Sequence, residues 1–146
     1  MSTANEQSNY HFSFTIAIKN TQDNVWQALI DVPNWHLWDT ELKEAHLNEP
    51  FALGAKGVMT PKKGPKLPFY ISEMIPNQSY TVKTKMPVGT LDIKRTLRHE
   101  NGTTYFTDDI AFTGFLKRFF GAMLGGGFRK VLPEVMENFK KIAEKK

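Results

Sequence analysis

An Asn101-Gly102 pair separates the runs Thr90–Glu100 and Thr103–Thr113. Both central residues of the tightest hairpin turn need positive φ, which asparagine tolerates and glycine prefers. A two-residue turn leaves no choice of register. Glu100 must face Thr103, Leu97 must face Phe106, Ile93 must face Ile110 and Leu91 must face Phe112. On the other side Thr96 meets Thr107 and Lys94 meets Asp109. Apolar faces apolar and polar faces polar along the ladder, with one exception. Arg95 and Asp108 fall opposite each other within the apolar face.

The rest of the chain reads around this hairpin. Tyr10–Lys19 alternates, with Phe12, Phe14, Ile16 and Ile18 on one face, which predicts a strand. Thr21 caps a helix whose apolar stripe is Val25, Trp26, Leu29 and Ile30. Pro33 stops it, and Asn34 is expected to cap a second short turn carrying Trp35, Leu37 and Trp38. Strands follow at Leu42–Asn48, Val58–Thr60, Phe69–Ile75 and Gln78–Lys85, with Gly54 and Gly57 bracketing a turn. Pro61 to Pro68 reads as a loop, and Pro87-Val88-Gly89 as a turn. From Phe115 the period becomes helical, in a stripe through Leu116, Phe120, Met123, Leu124, Phe128, Val131, Leu132, Val135, Met136, Phe139 and Ile142. A break is expected between Gly125 and Pro133, because each glycine costs about 1 kcal/mol inside a helix and proline about 3.

Met1 to Asn9 is a polar stretch and reads as a disordered leader, with residues 10–146 as one domain. With no cysteine, disulfides and thiolate chemistry are excluded. The apolar runs fall well short of the ~20 residues that cross a bilayer. A cytoplasmic location is the default expectation. The net charge of +4 concentrates at Lys62, Lys63 and Lys66 and at Lys140, Lys141, Lys145 and Lys146. Such clusters favour solubility and the helix C-terminus, with contact to a membrane surface as the alternative. Neither an RNA-binding aromatic signature nor zinc-finger spacing is present, so no nucleic-acid partner is expected. The histidines His11, His36, His46 and His99 lack ligand spacing, and neither metal nor cofactor is expected. Oligomeric state is not legible.

The order is a strand, two short helices, a meander of strands and a long helix. Together with Val25-Trp26-x-x-Leu29-x-Asp31, Pro33-x-Trp35-x-x-Trp38-Asp39, Gly54-x-x-Gly57 and Gly114, it resembles the START-like helix-grip superfamily, also called SRPBCC. This is the superfamily of the birch-pollen allergen, and the polyketide cyclase/dehydrase and lipid-transport branch is the nearest in pattern. The resemblance covers Tyr10 to Ala143. It implies an α+β fold, with a curved antiparallel sheet of about six or seven strands gripping the C-terminal helix around an apolar cavity. It also implies a hydrophobic ligand such as a lipid or polyketide, bound or transported. Two alternatives follow from the same resemblance: a cyclase or dehydratase, and a protein-interaction module like the heat-shock ATPase activators. No Cys/His set supports an iron–sulfur oxygenase, and the Gly54–Gly57 turn is shorter than the allergens' glycine-rich loop.

Candidate ligand contacts follow from strand parity. Arg95 and Asp108 should form a pair on the cavity face, since a buried charge needs a partner. Tyr80, Thr84 and Met86 share one side of their strand. Tyr70 is a further candidate, although Phe69 and Ile71 compete for its inward position. Trp35 and Trp38 suit a cavity rim, with an apolar body and one N–H donor each, whereas Trp26 reads as core. Asp31 and Asp39 lie at helix ends and read as caps. In a cyclase, Arg95 would polarise a carbonyl and Asp108 would accept a proton. Its pairing with Arg95 is expected to lower the Asp108 pKa and weaken it as a base.

Overall fold

The computed structural model describes residues 8–86, 89–114 and 126–146. The leader up to Gln7, Pro87 and Val88 of the predicted turn, and the stripe from Phe115 to Gly125 lie outside them. Seven strands form one antiparallel sheet: β1 (His11–Ile18), β2 (Leu42–Leu47), β3 (Lys56–Pro61), β4 (Leu67–Ile75), β5 (Ser79–Met86), β6 (Gly89–Glu100) and β7 (Thr103–Gly114). Helix α1 (Gln22–Leu29) and a 3-10 helix (Val32–Leu37) lie between β1 and β2, and α2 (Gly126–Ala143) closes the chain. The spatial order β1-β7-β6-β5-β4-β3-β2 is a meander, with β1 returned to the outer edge of β7. The sheet curls into a half-barrel around α2, which makes the fold α+β.

The hairpin adopts the register that its turn dictates. Asn101 and Gly102 have φ of 52° and 81°. Glu100 pairs with Thr103, Leu97 with Phe106, Ile93 with Ile110, Leu91 with Phe112 and Arg95 with Asp108. The Thr21 side chain caps α1 by accepting from the Asn24 N–H at 3.2 Å.

Three local expectations change. The 3-10 helix begins at Val32, ahead of Pro33, because the fixed φ of proline suits a first helical turn. The Asn34 amide donates instead to Asp31 Oδ2 at 2.8 Å. Gly57 lies inside β3 rather than in a turn. A Cβ there would sit 2.3 Å from the His46 carbonyl oxygen and 2.8 Å from Phe69 Cζ, so the glycine makes room for that ring. Finally, α2 starts within the glycine run and continues through Pro133. Pro133 is exposed, while Leu132, Val135, Met136 and Phe139 are buried. Burying each of these is worth about 1.5–3 kcal/mol, which outweighs the proline's ~3.

The core lies between the inner face of the sheet and the helices. Val82, Ile93, Leu97, Phe106 and Ile110 supply the sheet side. Trp38 and Phe139 meet edge to face at 4.9 Å, and Phe106 and Phe139 at 5.0 Å. No described helix is long and apolar enough to cross a membrane.

Candidate functional site

Three charged residues are buried in the described structure: Arg95, Asp108 and Asp39. Strand alternation places the first two. Positions 93, 95 and 97 of β6 and 106, 108 and 110 of β7 all point inward, so Arg95 and Asp108 are enclosed by the apolar residues on either side. They are 3% and 1% exposed. Arg95 Nε lies 3.5 Å from Asp108 Oδ1, which is an ion pair but too long for a directed hydrogen bond. Neither atom has a hydrogen-bond partner.

Tyr80 sits beside Arg95 in the register of β5 and β6. Its hydroxyl accepts from Arg95 Nη1 at 3.1 Å and donates to the Leu29 carbonyl at 2.7 Å. Leu29 ends α1, where carbonyls lack helical partners. Trp35 Nε1 donates to the same oxygen at 2.9 Å. A single helix-end carbonyl thus ties α1, the 3-10 helix and β5 to Arg95. The guanidinium also lies over the rings of Trp35 (4.8 Å), Trp38 (4.9 Å) and Tyr80 (5.9 Å). Aromatic faces attract cations, and more strongly where water is excluded.

Burial pushes the Asp108 carboxyl up to about 6, although the Arg95 charge pulls it down. This overturns the expectation of a lowered pKa: loss of hydration outweighs the ion pair. Burial likewise raises Asp39, against the attraction of Arg95. The Tyr80 phenol is pushed up to about 12 by burial and stays neutral. For Arg95 burial acts downward, but Tyr80, Asp108 and Asp39 together outweigh it and hold the guanidinium charged.

The structure brings together Trp35, Trp38, Tyr80, Arg95 and Asp108. Thr84 lies on the same inner face, fully buried, with no partner for its hydroxyl. Met86 ends β5 and is half-buried. Tyr70 corrects the interior expectation. Phe69 and Ile71 take the inward positions, and Tyr70 faces out between Lys56 and Lys83. There it helps line a surface pocket of about 520 Å³ with Lys56, Lys83 and Lys85. A second pocket, of about 570 Å³, lies by the hairpin turn near Lys19 and His99. Neither contains Arg95 or Asp108. Among the described residues, the rings of Trp35, Trp38 and Tyr80 lie against the Arg95 guanidinium.

Two residues join the site that the sequence did not single out. Asp39 does cap locally, accepting from the Glu41 N–H at 3.0 Å, yet it is also buried facing the Arg95 charge. Its signal was its place directly after Trp38. Phe14 pairs with Asp108 across β1 and β7 but remains 36% exposed.

The family described as polyketide cyclase/dehydrase and lipid transport matches residues 10–144. The chain belongs to this family. Solved structures agree on the fold of this polyketide cyclase/dehydrase-type protein. A START superfamily protein from Mycobacterium smegmatis is 10% identical with a TM-score of 0.74, covering 92% of this chain and 97% of that one. An aromatase/cyclase from a Streptomyces species is 12% identical with a TM-score of 0.69, covering 92% and 93%. The di-domain aromatase/cyclase StfQ of the steffimycin pathway is 9% identical with a TM-score of 0.70, covering 92% of this chain and 49% of its own. No curated protein sequence matches the chain. Membership of this cyclase/dehydrase and lipid-transport family indicates either cyclase-type chemistry or hydrophobic ligand binding.

Proposed function

We propose that the protein binds a hydrophobic small molecule, of lipid or polyketide type, between the inner face of the sheet and α2. One observation carries this reading. A polar cluster of Arg95, Asp108 and Tyr80 is built into an otherwise apolar face, with a donor (Arg95 Nε) and an acceptor (Asp108 Oδ1) left without hydrogen bonds. A purely structural pair would be expected to satisfy its polar atoms, since each orphan costs about 1–3 kcal/mol. Trp35 and Trp38 close over Arg95, and Phe139 packs on Trp38, so entry requires the aromatic segment and α2 to part.

Native mass spectrometry of the purified protein, followed by organic extraction, tests this. A co-purifying apolar molecule is expected. A clean apo mass, with no thermal shift across a lipid and aromatic library, would sink the reading.

A second reading, a cyclase or dehydratase, draws support from Asp108. A carboxyl held near 6 is a usable proton acceptor at neutral pH. Arg95 would polarise a substrate carbonyl while Asp108 takes the proton. Turnover of a poly-β-ketone substrate that is lost in both Asp108→Asn and Arg95→Met would favour it over binding alone.

A further inference from the structure

We propose that the interior takes an elongated, bipolar ligand, with one hydroxyl or carbonyl at the Arg95–Asp108 pair, an apolar middle, and a second hydroxyl or carbonyl at Thr84. The inference rests on the binding reading above and names the ligand class for that site.

Thr84 carries a hydroxyl that nothing in the fold serves. Thr81, Thr84 and Thr104 are the buried threonines of the described structure. Thr81 Oγ1 donates to Glu73 Oε1 at 2.9 Å, and Thr104 Oγ1 donates to the Asn20 carbonyl at 2.8 Å. Thr84 is 0% exposed, lies on the inward side of β5 and has no hydrogen bond. Valine would fill nearly the same volume without the cost of an unserved hydroxyl. Arg95 Nε and Asp108 Oδ1 are the other buried inner-face atoms of the described residues in this state. The remaining two, Asn77 Oδ1 and Asp92 Oδ1, lie in the turn between β4 and β5 and on the outer face of β6.

Spacing points the same way. Tyr80 pairs with Arg95, Val82 with Ile93 and Thr84 with Leu91, and Arg95, Ile93 and Leu91 pair in turn with Asp108, Ile110 and Phe112. The inner face therefore runs from a polar row, through the buried apolar row Val82, Ile93 and Ile110, to Thr84. Four residues of strand place Thr84 about 13 Å along the sheet from the Arg95 row. Helix α2 follows the same direction, with Phe128 against Phe12 towards one end and Phe139 against Phe106 at the other. A chain-like molecule lying lengthwise under α2 meets hydrogen-bonding atoms at both ends and hydrocarbon between them. At the first end a hydroxyl can accept from Arg95 Nε and donate to Asp108 Oδ1, two atoms 3.5 Å apart. At the second end the Thr84 hydroxyl donates or accepts, so it suits a hydroxyl or a carbonyl.

The test uses displacement of the neutral fluorophore N-phenyl-1-naphthylamine, with 1-decanol and 1,10-decanediol as competitors. They share a carbon chain and differ in the second hydroxyl. Thr84→Val is expected to raise the diol concentration for half-displacement at least about fivefold over wild type, because the far hydroxyl loses its partner. Decanol has no far hydroxyl and should move less than about twofold. Thr84→Ser keeps a hydroxyl and is expected to retain the wild-type diol value. Thr84→Ala, read by the same comparison, takes the place of a valine variant that does not fold. A folded variant lacking the hydroxyl in which the diol shifts no more than decanol overturns the proposal. So does a Thr84→Ser that loses the diol as valine does. If the fluorophore does not bind and neither competitor shifts Tm, the binding reading itself fails and takes this inference with it.

Discussion

Replacing Asp108 with asparagine should stabilise the protein at pH 7.5, although it removes half of a buried ion pair. The carboxyl titrates near 6 in the fold against an ordinary 3.8, a difference worth about 3 kcal/mol. The sign follows from the direction of the change. The folded protein binds this proton more tightly than the unfolded chain, so the stabilisation is full below about pH 4 and is lost as pH rises through about 6. Above that, the native state carries a buried carboxylate that Arg95 only partly compensates. Asparagine has the same shape without the charge. The opposing consideration is that breaking a buried pair typically costs about 3–5 kcal/mol, because the remaining charge is left bare. Arg95 is not left bare here: it keeps Tyr80, two indole faces and the charge of Asp39. Urea unfolding followed by tryptophan fluorescence between pH 4 and 7.5 is the assay. Asp108→Asn should exceed wild type by up to about 3 kcal/mol at pH 7.5, with the gap closing towards pH 4. Carboxylates remote from the cluster titrate alike in both proteins and cancel in the difference, whereas Asp39, which interacts with Asp108, does not. A variant less stable than wild type at pH 7.5, or a gap that does not change with pH, would refute the reasoning.

Three further outcomes are expected. Tyr80→Phe removes a hydroxyl that bonds both Leu29 and Arg95, and should lower unfolding free energy by about 1–3 kcal/mol in urea titration. Thr84→Val deletes a buried hydroxyl with no partner at nearly constant volume, and should be neutral or raise Tm by calorimetry. Gly57→Ala drives a methyl into the His46 carbonyl and the Phe69 ring, and should destabilise by about 1–3 kcal/mol, read as a lowered denaturation midpoint.

The parts of the fold most legible in the sequence are those set by local geometry. Asn101-Gly102 admits one turn, and that turn alone places Arg95 opposite Asp108, whatever the packing around it. Thr21 and the alternation of β1 and β5 are readable for the same reason. What escapes depends on tertiary packing. Tyr70 lies in a run where Phe69, Tyr70 and Ile71 are all apolar enough to point inward, so parity does not choose among them. The burial of Asp39 is a tertiary property that local sequence does not carry, and locally it looks like the cap that it also is. Pro133 argues against helix continuity because its local cost is visible in sequence, whereas the burial of Leu132, Val135 and Met136 that offsets it is not. The pKa of Asp108 escapes for a related reason. Sequence shows the partner charge but not the depth of burial, and depth decides the sign.

The most direct measurement is a crystal structure of the protein with 1-decanol or a co-purified apolar molecule bound. The expected map places the ligand between the inner face of the sheet and α2, with its polar atom within about 3.2 Å of Arg95 Nε or Asp108 Oδ1. A ligand held instead in the outer pocket at Tyr70, Lys56 and Lys83, with the Arg95–Asp108 pair untouched, would contradict the proposed site.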